Sequence, residues 1–270
     1  MKNRFKVSVL GASGRMGSQI IKRVSKSPTM DLHYVVEHKG HNWIGLDWGE
    51  KLLGRENNVI VTDDLNLALG SADAVIDFST PDTSLECLKI CAYTNTAHII
   101  GTTGFDSSQE SKIDGYAKKV VVVKAGNMSL GINILTSLVE KISSSLDSDF
   151  DTEILEMHHR NKVDAPSGTA LMLGEAAAKG KGKRLSELRG EVREGTFGSR
   201  DKGTIGFASL RGGGIVGEHE VSFTSESERI SIKHEAFSRD IFVKGAIRAA
   251  LWSKEKKPGL YDMLSVLNLR

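Results

Sequence analysis

The sequence predicts an α/β protein: a doubly wound parallel sheet, followed by an α+β unit built on an open mixed sheet. Two patterns carry this expectation. Up to about residue 125, short Val- and Ile-rich runs alternate with helical stretches, which indicates parallel strands joined by crossover helices. Beyond a long helical stretch at 130–146, strand signals cluster together instead. The length, 270 residues, suits two domains.

In the first half, strands are expected at Lys6–Leu10, Leu32–Glu37, Val59–Val61, Ala74–Phe78, Ala97–Ile100 and Val120–Lys124. They are largely apolar, as strands buried on both faces are. Helices fall at Arg15–Ser25 and Ser84–Tyr93, with Pro81 and Asp82 near the start of the second, where both are favourable. Residues 39–58 read as irregular. In the second half, Leu130–Leu146 and Gly168–Lys179 read as helices. Thr152–His158, Thr204–Leu210, His219–Thr224 and Arg229–His234 read as strands. A helix at about Ser238–Trp252 and a tail at Gly259–Leu269 follow, and Lys179–Arg184 reads as a basic, solvated connection.

Composition removes several function classes. Lys and Arg total 36 against 34 Asp and Glu, a net charge of +2, which argues against a nucleic-acid binder. No apolar run approaches the ~18 residues of a membrane span, and Met1–Phe5 leads into a strand without a signal or transit pattern. Cys87 and Cys91, four apart on a helix, suit a disulfide poorly and read as core thiols. A reducing, cytoplasmic location is expected.

The first strand ends in Gly11-Ala12-Ser13-Gly14-Arg15-Met16-Gly17, a Gly-rich turn that opens a helix. Gly11 permits the tight turn, Gly14 lets backbone N–H groups approach a pyrophosphate, and Gly17 lets the helix pack closely. The spacing, GxxGxxG, is one residue looser than the usual dinucleotide fingerprint. Glu37 ends the second strand about 20 residues later, where a ribose-binding acid belongs. The first half is therefore expected to be Rossmann-like. Gly101-Thr102-Thr103-Gly104 and Ala125-Gly126-Asn127-Met128 follow later strands and are candidates to meet a nicotinamide and its ribose, although taken singly each resembles an ordinary loop. The richest cluster is Glu156–Thr169, with His158, His159, Arg160 and Lys162 within five residues and a helix start beside them. Cations beside free helix N–H groups form an anion site suited to carboxylates. Lys162 is a candidate proton donor and His158 a candidate acid or base. No metal site is expected: the histidines are scattered, and His38 and His41 have no evident carboxylate or Cys partner.

These motifs closely resemble those of the dihydrodipicolinate reductase family. The carrying strings are Gly11–Gly17, Val75–Ser79, Ile100–Phe105 and, most specifically, His158-His159-Arg160-Asn161-Lys162-Val163-Asp164-Ala165-Pro166-Ser167-Gly168-Thr169-Ala170. Gly203–Phe207, Gly217–His219 and Gly245–Trp252 extend the likeness over nearly the whole chain. The resemblance implies a cofactor domain at 1–127 and 240–270, and a substrate-binding and tetramerisation domain at 128–239. It implies that Gly11, Ala12, Ser13, Gly14, Arg15, Met16, Glu37, His38, Gly101, Thr102, Thr103, Ala125, Gly126, Asn127 and Met128 hold NADH or NADPH. His38 stands where Arg is frequent, which bears on the choice between the two. It implies that His158 and Lys162 form the acid–base pair, and that His159, Gly168 and Thr169 bind a cyclic dicarboxylate in lysine and diaminopimelate biosynthesis. A homotetramer is implied, with closure near Asn127 and Arg239. Two rival readings are weaker. An acylating dehydrogenase needs a Cys near Asn127–Leu130, where there is none. A non-catalytic NAD-binding sensor leaves the basic cluster without a purpose.

Overall fold

The structure, a computed structural model, describes residues 4–269 apart from Glu194 and Phe197. The chain divides into two compact units, one formed by residues up to Met128 together with Asp240–Asn268, the other by Ser129–Arg239.

The first unit is a seven-stranded parallel sheet. Its elements are β1 (Phe5–Leu10), α1 (Arg15–Val24), β2 (Met30–Val36), α2 (Trp48–Leu53), β3 (Val61–Thr62), α3 (Leu65–Leu69), β4 (Ala74–Asp77), α4 (Pro81–Thr94), β5 (Ala97–Ile100), α5 (Ser107–Ala117) and β6 (Val121–Lys124). The strand order is β11-β6-β5-β4-β1-β2-β3, where β11 (Gly259–Tyr261) comes from the far end of the chain. The order reverses between β1 and β4, the switch point at which open α/β sheets bind ligands. Ala74, Val75, Ile76 and Asp77 are all fully buried, so β4 is covered on both faces.

The second unit contains α6 (Leu130–Ser143), β7 (Asp151–His158), α7 (Gly168–Gly180), α8 (Leu185–Leu188), β8 (Ile205–Arg211), β9 (Gly217–Thr224) and β10 (Arg229–Ala236). Its sheet runs β10-β9-β7-β8, parallel only between β7 and β8. The expected open mixed sheet is therefore present. Helices α6 and α7 pack together over the face that carries Ile154, Ile205, Val221 and Phe223. On β7 the burial alternates, with Thr152, Ile154, Glu156 and His158 inward. Helix α9 (Asp240–Ser253) then returns the chain to the first unit, where α10 (Met263–Val266) follows β11.

Three expectations are corrected. Residues 39–58 are not wholly irregular: Asp47 accepts a hydrogen bond from the Gly49 N–H at 2.7 Å and caps the short α2. Strand β3 lies two residues later than the apolar run suggested, because only Val61 and Thr62 pair with β2. Helix α4 starts three residues before Ser84, since Thr80 caps it and Pro81 takes the first position, where its missing N–H costs nothing. No helix among the described residues is long and apolar enough to cross a membrane.

Candidate active site

The turn after β1 is shaped for a close-lying ligand. Gly11 has φ +70°, and a Cβ on Gly17 would stand 2.0 Å from the Gly11 carbonyl oxygen, so neither position accepts another residue without rearrangement. Gly14 caps α1 without any side-chain hydrogen bond, leaving the positive end of the helix to a ligand. Ala12 is buried and Arg15 exposed. Glu37 is buried; its Oε1 accepts the N–H and the hydroxyl of Ser13, both at 2.7 Å, and its Oε2 accepts the His38 N–H. Burial opposes its charge, yet these bonds and nearby His41 hold its pKa below the usual carboxylate range. A cavity of about 530 Å³ opens here, lined by Gly11, Ser13, Gly14, Glu37 and His38, with Lys39, Asp63 and Glu86 also on its wall. Its size and its glycine cradle fit a dinucleotide.

Next to it, Asp77 at the end of β4 organises the neighbouring loops. It accepts hydrogen bonds from the Ser79 N–H and hydroxyl, the Ser84 and Thr102 hydroxyls, and His98 Nε2. Burial opposes a charge on His98, but Cys87 and the Asp77 carboxylate raise its pKa. Asp77 itself stays ionised: burial works against it, and the His98, Ser79 and Ser84 bonds prevail. One carboxylate thus joins the loop after β4 to Thr102 in the loop after β5. Thr102 is buried while Gly101 and Thr103 are more open. Ala125, Gly126 and Asn127 follow β6, and Met128 is 1% exposed, so its side chain is part of the packed interior.

In the second unit, cross-strand register assembles what the sequence scatters. Glu156 lies opposite His219 of β9 and Ser209 of β8, and His158 lies opposite Arg211. The inward face of the sheet therefore turns from apolar at Ile154 and Val221 to polar one row later. His158 Nδ1 is 2.6 Å from Glu156 Oε2. Arg211 grips the same carboxylate with both Nη atoms at 2.8 and 2.7 Å. Ser167 caps α7 by accepting the Ala170 N–H, and its own N–H donates to Glu156 Oε1. The start of α7 at Gly168 and Thr169 is thereby fixed to the strand carrying His158. Ser167 Oγ is 2.9 Å from His219 Nε2, and the His219 ring stands edge-on to His158 at 5.1 Å. Burial first, then the cations nearby, push His219 down to about 4. Burial also lowers His158; Glu156 pulls the other way, and Lys162 and Arg211 add to the lowering. Lys162 lies in the turn after β7 and pairs with Asp164 at 2.8 Å. His159 follows the strand, with a buried Nδ1 that has no hydrogen-bond partner among the described residues.

Of the residues singled out in the sequence, the structure brings His158, Lys162 and the start of α7 together. It adds Arg211, His219 and, in the first unit, the Asp77–His98 pair, to which the sequence reading gave no role. The available signal was alternation: counting by twos along β8 and β9 puts Arg211 and His219 on the inward face. The structure also supplies a carboxylate where none had been evident, since Glu37 stands with His38 and His41. Cys87 and Cys91 are free, buried, and 3.9 Å apart beside His98.

Comparison with known proteins bears on both units. Residues 5–128 match the family model described as dihydrodipicolinate reductase, N-terminus, and residues 131–267 match that of the C-terminus. The chain belongs to the dihydrodipicolinate reductase family. Members named 4-hydroxy-tetrahydrodipicolinate reductase are 47% identical over 270 residues in Roseobacter denitrificans, covering all of this chain and 99% of the relative. In Rhizobium rhizogenes the figure is 48% over 266 residues, covering 98% and 97%. The solved dipicolinate-bound dihydrodipicolinate reductase of Paenisporosarcina sp. TG-14 superposes with a TM-score of 0.75 at 26% identity, covering 97% of this chain and 98% of that one. An amine dehydrogenase from Mycobacterium smegmatis, at TM-score 0.67 and 11% identity with 96% and 95% coverage, shares the fold. The chain is accordingly an oxidoreductase of the reductase family.

Proposed function

We propose that the protein reduces 4-hydroxy-tetrahydrodipicolinate to tetrahydrodipicolinate, in lysine and diaminopimelate biosynthesis, with NADH or NADPH. The observation that carries this reading is that Glu156 holds His158 and the α7 start together, with Lys162 near enough to act electrostatically on His158, in a unit that matches the family from end to end. The relative solved with dipicolinate, a ring dicarboxylate, supports the substrate class. The Gly11–Met16 turn, Glu37, Gly101–Thr103 and Ala125–Met128 would hold the cofactor, whose nicotinamide supplies hydride when bound. His159, Gly168 and Thr169 would bind substrate carboxylate at the positive helix end. Lys162 would give a proton to the carbon next to the one reduced, and its positive charge, with that of the helix end, would stabilise the negative charge that develops there. The test is loss of reduced-nicotinamide absorbance on adding freshly generated cyclic substrate. Cofactor binding without turnover would support a sensor instead.

Cofactor choice follows from charge. Glu37 suits a ribose 2′-hydroxyl and repels a 2′-phosphate, and Asp63 and Glu86 add to the repulsion, against His38 and Lys39. NADH should serve at least as well as NADPH. A kcat/KM for NADPH more than about a hundredfold higher, nearly 3 kcal/mol of discrimination, would contradict this. A cytoplasmic homotetramer is part of the proposal. Leu155 and Leu210 are 39% and 45% exposed on the sheet face that α6 and α7 leave uncovered, as an assembly surface would be. A stable monomer in light scattering at micromolar concentration would refute the assembly.

A further inference from the structure

Glu156 has no part in the chemistry assigned above, yet it bonds His158, Arg211 and the N–H that begins the α7 cap. It is 1% exposed, on the inward face of β7 two residues before His158. Besides its bonds to His158, Arg211 and the Ser167 N–H, its partner Arg211 donates to the carbonyl oxygens of Asp164 at 2.7 Å and Leu210 at 2.6 Å. The pair thus ties together the ends of β7 and β8, the turn holding Lys162, and the start of α7.

We propose that Glu156 and Arg211 are positioning residues for the reaction: they lock the His158 proton onto Nδ1 and so present Nε2 to the substrate as a hydrogen-bond acceptor. An ionised carboxylate accepts and never donates, so the proton in the 2.6 Å contact belongs to His158 Nδ1. Burial disfavours that ionised state, but the Arg211 and His158 bonds bring Glu156 down to about 2. A neutral imidazole protonated at Nδ1 has its lone pair on Nε2. That nitrogen makes no hydrogen bond among the described residues, and only a glycine fits comfortably beside it: a Cβ on Gly217 would stand 3.0 Å away. The groups facing His158 are Glu156, Lys162, Arg211 and His219, and the positive ones oppose a second proton. His158 then orients a donor, leaving proton delivery to Lys162.

The inference rests on His158 being a catalytic group, and the test separates the two. Steady-state kinetics of Glu156→Gln, Glu156→Asp and His158→Ala are compared with the parent across pH. Glu156→Gln should lower kcat about tenfold or more with cofactor KM little changed. The acid limb of kcat/KM should move to lower pH, because the carboxylate that favours the imidazolium is gone; Glu156→Asp should restore the limb. A purely structural role would reduce activity without moving it. Unchanged kcat and an unmoved limb in Glu156→Gln, with His158→Ala impaired, overturn the positioning role. An unimpaired His158→Ala overturns the catalytic reading of His158 itself. Nitrogen-15 NMR of the His158 ring in the parent protein needs no variant: a proton on Nδ1 at neutral pH is expected, and one on Nε2 refutes the inference.

Discussion

Asp77 and Glu156 occupy similar places in the two units. Each is a buried carboxylate near the carboxyl end of an interior strand, and each gathers several hydrogen bonds, from the segment that follows its own strand and from a neighbouring strand or its end. Their partners differ. Asp77 faces His98, which is wholly enclosed, so the charge and its counter-charge are sealed together. Glu156 faces His158 and Arg211, whose side chains keep 11% and 21% exposure. A sealed pair fixes the shape of a cavity wall, here through Ser79. A pair with one side open leaves His158 within reach of a ligand, as the role proposed for it requires.

This contrast is best broken by removing each carboxylate. Asp77→Ala would remove the shared acceptor of five hydrogen bonds and leave buried donors unpaired, and should cost about 3–5 kcal/mol, read as a fall in denaturant midpoint. Glu156→Ala leaves Arg211 near enough to water to be rehydrated and should cost less, about 1–3 kcal/mol. Equal losses would abolish the distinction. Next in size is Lys162→Ala, which should lower kcat by ~100-fold or more with little change in KM or stability. His158→Ala should also reduce kcat, and the double variant should be little worse than the worse single one. NADH fluorescence should show cofactor binding intact in all three. A raised KM with normal kcat would make Lys162 a carboxylate anchor.

The comparison sharpens with pH. His98 is raised in the fold, so its contribution is full below about 6.5 and is lost as pH rises towards about 10. Cys87, pushed up by burial, adds to that alkaline loss. His158 and His219 are depressed, so theirs is present above about 6.5 and is lost as pH falls, for His219 down to about 4; Glu156 follows between about 4.5 and 2. Protection factors from hydrogen exchange should therefore fall first in β4 and β5 in alkali, and first in β7 and β9 in acid. The same order at both extremes would contradict the assignment. The smallest effect is expected for Cys91→Ala, about 1 kcal/mol for a lost core sulfur, with kcat unchanged.

Much of this molecule is legible in the amino-acid order because its signals are local. The Gly11–Gly17 turn, the buried strands and the Ser167 cap are each encoded within a few residues. Short elements such as α2 and α3 escape because one or two turns leave too little periodicity. The inward faces of β8 and β9 escape for another reason. Arg211 and His219 lie 55 and 63 residues from Glu156, and register, a tertiary property, decides that they meet.

The return of α9 to the first unit has a consequence for synthesis. That helix packs on β4, β5 and β6, and β11 completes the sheet edge beyond β6. Both are translated after the whole of residues 129–239. A chain emerging from the ribosome therefore finishes its contiguous middle unit while the earlier one still lacks a cover and an edge strand. The half that begins first is the half that must wait.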